Sequence, residues 1–286
     1  MRVAIIGGAG RMGAWFGKYF LKNGHEVIIS DVRMDKAEAV ASSLGARTVE
    51  NNIRAVKMAD LSLISTPIDV TPKVLLEISP ELRESMIVAE ISSLKSKVLP
   101  ILRNLAKRGI KVLSLHPLFG SGAQEMVGER IALIPVRDPP LEESLVKDLF
   151  PEAEIITVDG NVHDDIMAVT LALTHFINIV FASVVGERDV QTIKQLGGTT
   201  FTLQLAISEG VMAEDPMLYA SIQIDNENTI KYLERFMSKA VKLKRIIESK
   251  NFDEFIKFYQ STRESLSKDE GFVAAYERMY RALRAL

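Results

Sequence analysis

The first thirteen residues constrain the fold of this chain more than any other segment. A short apolar run, Val3–Ile6, leads directly into Gly8-Ala9-Gly10-Arg11-Met12-Gly13, and apolar side chains then recur at helical spacing up to Phe20. This order predicts a strand, a tight turn and a helix. The glycines permit the turn, the approach of a pyrophosphate to the backbone, and close packing of helix on strand. The pattern therefore indicates a dinucleotide site at the N-terminus of the first helix.

A second predicted strand ends in an acidic residue at the spacing expected for such a site. Glu26–Ser30 is followed by Asp31, which lies 18 residues after Gly13. A carboxylate here would bind the adenosine ribose hydroxyls and repel a 2′-phosphate, which favours NAD over NADP. Arg33 is close enough to weaken that preference, so NADP stays open. Asp31 could instead cap the next helix, although Asp35 suits that role better.

The chain changes character near residue 160. Before it, predicted strands alternate with predicted helices, which indicates a mostly parallel, doubly wound, Rossmann-like α/β sheet. The strands are Val3–Ile6, Glu26–Ser30, Leu61–Ser65, Met86–Ile91, Lys111–Leu115, Ile131–Pro135 and Glu154–Val158, and the helices are 12–22, 35–44, 52–58, 69–78, 95–108 and 141–149. Only helices follow, at 161–187, 189–212 with a break at Gly197-Gly198, 216–249, 251–267 and 270–285. We predict a dinucleotide-binding domain over 1–160 and an all-helical domain over 161–286.

Composition narrows the class of protein. The net charge of −2 argues against nucleic acid or an anionic membrane as the main partner. Without cysteine there are no disulfides or thiolate metal sites, and we expect no metal. The N-terminal apolar run is too short for a signal peptide, so a cytoplasmic location is expected. Residues 166–185 contain no Asp, Glu, Lys or Arg and could span a bilayer. Polar residues interrupt them, however, and a buried helix of a helical domain or dimer is the preferred interpretation.

Three segments at predicted strand ends carry candidate site residues, because ligands of an open parallel sheet bind at the carboxyl edge. Ser65-Thr66-Pro67 should pass near the pyrophosphate or nicotinamide ribose, unless it is a plain turn into a helix. Ser92-Ser93-Leu94-Lys95 offers hydroxyls and an ammonium group to substrate or cofactor, or caps a helix. His116, held extended by Pro117, should lie in a loop as an acid–base group with a pKa of about 6–7.

A further candidate, His175, lies in the predicted helix 161–187, within its stretch 166–185. His175 is either a hydrogen-bonded core histidine or a residue that lines a substrate cleft. His163-Asp164-Asp165 opens the same helix, where the carboxylates suit its positive end.

These segments, in this order, resemble the prephenate dehydrogenase family. The resemblance rests on the glycine loop, the Ser-x-Lys of Ser93–Lys95, His116-Pro-Leu-Phe-Gly120, His163-Asp164, Leu173-Thr-His-Phe176 and Glu214-Asp-Pro-Met-Leu-Tyr-Ala-Ser-Ile222. It implies NAD(P) on a Rossmann domain, a helical domain that forms a homodimer, and oxidative decarboxylation of prephenate to 4-hydroxyphenylpyruvate in tyrosine biosynthesis. It also implies that His116 is catalytic, that Ser93 lies beside it, and that His175 belongs to the substrate site.

One position departs from the family pattern. Many members place an arginine in the helical domain to clamp a substrate carboxylate, and Thr202 stands there in this chain. A threonine cannot form a bidentate ion pair. Either another cation serves, with Lys194 or Arg188 nearest in sequence, or the substrate differs, or a neutral threonine cluster hydrogen-bonds the carboxylate more weakly. The arogenate-using variant of the enzyme also stays open. A β-hydroxyacid or imine reductase with Lys194 as the catalytic lysine, and a non-catalytic dinucleotide-binding regulator, are the alternatives.

Overall fold

One eight-stranded sheet organises the N-terminal part of the chain, as seen in a computed structural model that describes residues 1–286. The strands are β1 (Arg2–Ile6), β2 (Glu26–Ser30), β3 (Arg47–Thr48), β4 (Leu61–Ile64), β5 (Ile87–Glu90), β6 (Lys111–Pro117), β7 (Arg130–Ile134) and β8 (Glu154–Thr157). The accompanying helices are α1 (Arg11–Lys22), α2 (Met34–Leu44), α3 (Asn52–Met58), α4 (Thr71–Ile78), α5 (Leu99–Lys107), α6 (Pro139–Leu149) and α7 (Gly160–Met167). A short 3₁₀ turn, Ser79–Glu81, follows α4.

The strand order is β3-β2-β1-β4-β5-β6-β7-β8. Every neighbouring pair is parallel except β6 and β7, which are antiparallel. This is the predicted doubly wound sheet. The chain runs outward in both directions from β1 and β4, which makes their carboxyl ends the topological switch point where such sheets bind ligands.

Helices cover both faces of the sheet, which explains why its strands are apolar in continuous runs. Val3 and Ile5 of β1 pack in a cluster with Phe16 and Phe20 of α1, and this cluster includes side chains of α2 and α6. Ile6 points to the other face, into a cluster that α3, α4 and α5 complete. Burial on both faces fixes the register of β1 and therefore the place where its carboxyl end releases the chain.

Local sequence patterns predicted most elements of this N-terminal part of the chain, with two main differences. The two-residue strand β3 was missed, because two residues carry no periodicity. The helix predicted from residue 95 begins only at Leu99, because residues 95–98 form a loop in which Lys95 turns into the protein interior.

The remainder of the chain is helical, as predicted. Its elements are a π-helical segment (Ala168–Leu173), α8 (Thr174–Val185), α9 (Val190–Leu196), α10 (Thr199–Met212), α11 (Pro216–Ile224), α12 (Thr229–Glu248), α13 (Phe252–Leu266), a 3₁₀ segment (Glu270–Ala274) and α14 (Ala275–Leu283). The break at Gly197-Gly198 is present. The single helix predicted over 216–249 was wrong. The side-chain oxygen of Asn226 accepts a hydrogen bond from the Asn228 N–H, and this local turn interrupts the helix.

The chain divides into two units, Met1–Met167 and Ala168–Leu286. The predicted boundary at residue 160 is the start of α7, whereas the units divide within the helix Gly160–Val185. That helix is long and apolar enough to cross a membrane, judged by length and composition alone, with a mean hydropathy of 2.0 in its most apolar window. This helix was expected to be buried, but only 17% of that window is buried within one chain.

Candidate active site

The glycine loop joins β1 to α1 with almost no room for side chains. Gly7 adopts φ +82°, so the left-handed turn lies one residue before the Gly8-x-Gly10-x-x-Gly13 motif. A Cβ on Gly13 would lie 2.4 Å from the Gly7 carbonyl oxygen, and one on Gly8 would lie 2.7 Å from Ile29 Cγ2. Both glycines are therefore required for helix, strand and loop to pack this closely.

The start of α1 suits the phosphates of a dinucleotide. Gly10 is the N-cap and supplies no side-chain acceptor, and the first turn, which includes Arg11 and Met12, contains no acidic residue. A Cβ on Gly10 would meet only the Gly7 carbonyl oxygen, at 3.2 Å. The positive end of α1 is therefore not neutralised by a carboxylate of its first turn, and its surface is open to an anion.

Asp31 lies directly after β2, beside this loop. Its Oδ2 accepts a hydrogen bond from the Ala9 N–H at 3.0 Å, and its Oδ1 accepts from the Arg33 N–H at 3.0 Å and pairs with Arg33 Nε at 3.3 Å. The Asp31 side chain is 5% exposed and that of Arg33 is 50% exposed. Asp31 thus braces the glycine loop and orients Arg33. The prediction that Asp35 caps α2 was wrong, because the N-cap is Arg33.

The segment Ser65-Thr66-Pro67 packs against the same loop from β4. The Ser65 N–H donates to the Ile6 carbonyl at 2.8 Å, and a Cβ on Gly7 would lie 2.4 Å from the Ser65 carbonyl oxygen. Thr66 Oγ1 is 2.9 Å from Thr71 Oγ1, which ties the segment to α4. Pro67 does not start that helix, since α4 begins at Thr71. The segment therefore contacts the glycine loop directly, and its proximity to the pyrophosphate or nicotinamide ribose stays a prediction.

The Ser92–Lys95 segment differs from its prediction. Lys95 is fully buried, and its Nζ donates to Glu90 Oε1 at 2.8 Å and to the Leu115 carbonyl at 2.6 Å. Glu90 also accepts from Ser114 Oγ and, at 2.7 Å, from the Ser92 N–H. The ammonium group therefore serves the core rather than a ligand.

The hydroxyls of this segment do not cap a helix either. Val98 is the N-cap of α5, and Ser92 Oγ is buried without a hydrogen-bond partner. Ser93 is partly exposed in the same loop. Of Ser92 and Ser93, Ser93 is therefore the one accessible to a ligand.

His116 lies inside β6 rather than in a loop, because β6 pairs with β7 as far as Pro117. The side chain is 5% exposed, and its one hydrogen bond joins Nδ1 to His163 Nε2 at 3.0 Å. Burial, assisted by the positive charge of Lys95 and by His163, holds the pKa of His116 well below its ordinary value. The expected pKa of 6–7 is therefore corrected downward, and the ring is neutral at physiological pH.

His163 is a site residue that the sequence analysis did not select. It is 1% exposed, and its Nδ1 lies 2.8 Å from Asp164 Oδ1. Asp164 also accepts hydrogen bonds from the N–H groups of Lys95 and Ser96. Its predicted role at the helix terminus was wrong, since its carboxylate binds these groups instead. The adjacent His-Asp pair was the available signal, but the 47 residues between His116 and His163 hid the contact.

The candidates of the second unit are more exposed. His175 Nδ1 is buried and has no hydrogen-bond partner, and the ring lies 4.6 Å from that of Tyr219, so the hydrogen-bonded core alternative is wrong. Burial lowers the pKa of His175. Thr202 is exposed on α10 and donates to the Gly198 carbonyl at 3.2 Å. Lys194 Nζ pairs with Glu209 Oε1 at 2.6 Å, with both side chains about half exposed.

Together, the sheet, the glycine loop and the helical second unit define a Rossmann-type nucleotide-binding protein with an added helical domain. The family description "Prephenate dehydrogenase, nucleotide-binding domain" matches residues 16–133, and "Prephenate dehydrogenase, dimerization domain" matches residues 159–261. The chain therefore belongs to the prephenate dehydrogenase family.

Individual relatives agree with this assignment. The chain is 28% identical over 263 residues to a probable arogenate/prephenate dehydrogenase of Methanocaldococcus jannaschii, a match that covers 90% of this chain and 59% of that protein. It is 25% identical over 281 residues to the T-protein of Haemophilus influenzae, covering 97% and 66% respectively. The chain thus spans about three fifths to two thirds of their length.

A solved structure shows the same fold. It is the prephenate dehydrogenase of A. aeolicus in complex with hydroxyphenyl propionate and NAD⁺, which aligns with a TM-score of 0.73 at 19% identity over 94% of this chain and 98% of that one.

The buried ion pair should dominate the stability of this region. Lys95→Met leaves Glu90 as an uncompensated buried carboxylate, and we expect the free energy of unfolding in urea to fall by about 3–5 kcal/mol. Lys147→Met, at an exposed pair with Glu143, is the matched control and should change stability little. Glu90→Gln combined with Lys95→Met should restore part of the loss. Equal effects of the two single substitutions would contradict this assignment.

Proposed function

We propose that this protein is an NAD-dependent prephenate dehydrogenase, which converts prephenate to 4-hydroxyphenylpyruvate and CO₂ in tyrosine biosynthesis, in the cytoplasm. The observation that carries the proposal is His116, which is buried and neutral. It lies on β6, which is separated by β5 from β4 at the switch point of a nucleotide-binding sheet. Family membership supports the reaction class, and the similarity to an arogenate/prephenate dehydrogenase supports the substrate class.

The cofactor is assigned to the carboxyl edge of the sheet. The N–H groups of Arg11, Met12 and Gly13 would receive the pyrophosphate at the open start of α1. Gly8 and Gly10, whose N–H groups donate to the Ser30 and Gly7 carbonyls, would let the pyrophosphate approach the backbone. Asp31 would bind the adenosine ribose with Arg33 beside it, and Ser65-Thr66-Pro67 would lie along the cofactor toward the nicotinamide. Bound NAD⁺ supplies the hydride acceptor for this reaction.

His116 is proposed to receive the hydrogen of the substrate's ring hydroxyl at Nε2, because Nδ1 is already engaged by His163. As hydride leaves the ring carbon, the hydroxyl becomes a protonated carbonyl and therefore a strong acid. A weakly basic imidazole is sufficient to accept its proton. Loss of CO₂ returns an electron pair to the ring, and the phenol oxygen takes the proton back, so the reaction releases no net proton. Ser93 would hydrogen-bond the same oxygen and orient it.

Binding of the substrate's carboxylates is assigned to the second unit. The unpartnered Nδ1 of His175 would gain a hydrogen bond from a ligand, which removes the penalty of a buried unsatisfied polar atom. Thr202 and Lys194 would bind the side-chain carboxylate in place of an arginine. Arogenate is the second candidate, because the Lys194–Glu209 pair presents both charges that an amino-acid group requires.

We also propose a homodimer formed through the helical unit. Its sequence matches a dimerization domain, and the apolar window of the helix Gly160–Val185 is largely uncovered within one chain. Exposed side chains of α8 include Val180 and Val184. An apolar helix left open in this way is stabilised when a second copy covers it.

The assembly is tested by sedimentation equilibrium at micromolar concentration, where we expect a dimer. Val180→Glu on α8 should shift the equilibrium to monomers, because it places a charge in the apolar contact. Val32→Glu, at a 97% exposed position of the other unit, is the control and should remain dimeric. A monomeric wild type, or flotation of the wild type with lipid vesicles, would show that the helix has another role.

Cofactor preference follows from Asp31. We expect a higher kcat/KM with NAD⁺ than with NADP⁺. Asp31→Ser should lower the ratio of these two kcat/KM values at least about tenfold, because it removes repulsion of the 2′-phosphate. Asp35→Ser, an exposed aspartate in the first turn of α2, is the matched control and should keep the wild-type ratio. A wild type that prefers NADP⁺ would refute the role of Asp31.

Catalysis is tested by following NADH absorbance and 4-hydroxyphenylpyruvate, with arogenate in parallel. His116→Asn should lower kcat by about 10²–10⁴ with a modest change in KM, because the amide is a far weaker base. His25→Asn is the control, because His25 lies beside the N-terminal amino group of Met1, and this variant should be as active as the wild type. Since the pKa of His116 is lowered, activity should be lost only as pH falls well below the ordinary histidine value of about 6.5. Undiminished kcat in His116→Asn would disprove the mechanism.

A further inference from the structure

We propose that His163 and Asp164 are positioning residues that fix which ring nitrogen of His116 carries its proton. The inference rests on the proposed function of His116, and it assigns a role to two residues outside the predicted site. Its basis is a continuous chain of contacts in the first unit. Asp164 Oδ1 lies 2.8 Å from His163 Nδ1, and His163 Nε2 lies 3.0 Å from His116 Nδ1.

The direction of this chain is set by the carboxylate. Burial alone would raise the pKa of Asp164, but hydrogen bonds from His163 and from the N–H groups of Lys95 and Ser96 outweigh it, so its pKa is lowered. An ionised carboxylate only accepts hydrogen bonds. In its neutral form, His163 therefore carries its proton on Nδ1 and presents a lone pair at Nε2.

The same logic then applies to His116. Because His163 Nε2 is an acceptor, His116 must donate to it from Nδ1, and the lone pair of His116 is left on Nε2. This is the nitrogen that the proposed reaction needs as an acceptor. In the opposite tautomer, Nε2 would carry a hydrogen and would compete with the substrate hydroxyl instead of receiving its proton.

The surrounding charges support a role in the reaction beyond packing. Lys95 is the buried cation of this region, and Glu90 is paired with it. A proton gained by His116 adds a second positive charge there. Glu90 is already occupied by Lys95 and Ser114. Asp164, which is linked to His116 by two hydrogen bonds through His163, is therefore the carboxylate placed to offset that charge.

Asp164→Asn tests this chain because an amide presents one acceptor and one donor where the carboxylate presents two acceptors. With its oxygen at the position of Oδ2, the amide still accepts the Ser96 N–H, which lies 2.9 Å away, and the Lys95 N–H, which lies 3.1 Å from Oδ2 and 3.0 Å from Oδ1. Its NH₂ group then faces His163 Nδ1 and donates to it. His163 must move its proton to Nε2, and His116 must in turn carry its proton on Nε2.

The tautomers can be measured by ¹⁵N NMR of the imidazole rings without substrate or cofactor, since the chain contains only four histidines. We expect the Nδ1–H form of His116 in the wild type and the Nε2–H form in Asp164→Asn. We also expect kcat to fall by about 10²–10⁴ with KM nearly unchanged. An unchanged His116 tautomer in Asp164→Asn, or the Nε2–H form in the wild type, overturns the inference even if the enzyme acts on another substrate.

A pair of substitutions at His163 keeps the test decisive if Asp164→Asn does not fold. His163→Gln can still accept from His116 Nδ1 through its amide oxygen and should retain most of kcat, whereas His163→Leu removes the acceptor and should lose it. Both should fold with similar thermal midpoints and keep KM similar. Equal kcat in the two variants would overturn the inference. A wild type inactive on prephenate and arogenate would refute the proposed function alone, because the tautomer measurement stands without turnover.

Discussion

The buried ion pair between Glu90 and Lys95 holds together the part of the sheet on which the candidate site is built. Glu90 ends β5, and the Lys95 ammonium group reaches back to it and to the Leu115 carbonyl of β6. The loop between them, with Ser93, must therefore fold over the carboxyl ends of two strands. The N–H groups at the end of that loop bind Asp164, which brings α7 to the same place. A buried pair of this kind stabilises one arrangement only while both partners are present.

This arrangement also explains the electrostatic character of the histidine at its centre. A histidine that is buried and near a buried cation loses its charge readily, so His116 is neutral where an exposed histidine would be partly protonated. A neutral ring can accept a hydrogen bond, and the ordered contacts from Asp164 through His163 give that ring a defined orientation. The structure thus combines a weak base with a fixed geometry, which suits a proton that is held briefly and then returned.

The helical unit is more open than the buried surroundings of His116. A buried polar contact fastens α8 to α10, where Asn178 Oδ1 accepts hydrogen bonds from Gln204 Nε2 at 2.8 Å and Ser208 Oγ at 2.9 Å. Beyond such contacts, much of its apolar surface is exposed within one chain. A dimer would cover that surface without a further domain. His175 of this unit is partly buried, and its Nδ1 has no hydrogen-bond partner.

The sequence by itself determined most of the strands and helices, the glycine loop and the family. The elements depend on patterns within about twenty residues, such as the apolar run before Gly8 or the break at Gly197-Gly198, and the family resemblance rests on several such short motifs in order. Tertiary structure decided which side chains meet. Lys95 was expected at a ligand and lies in the core, because its direction is set by a carboxylate and a carbonyl on two strands. His116 and His163 are 47 residues apart, and no local pattern records a contact that exists only after the sheet and α7 have packed.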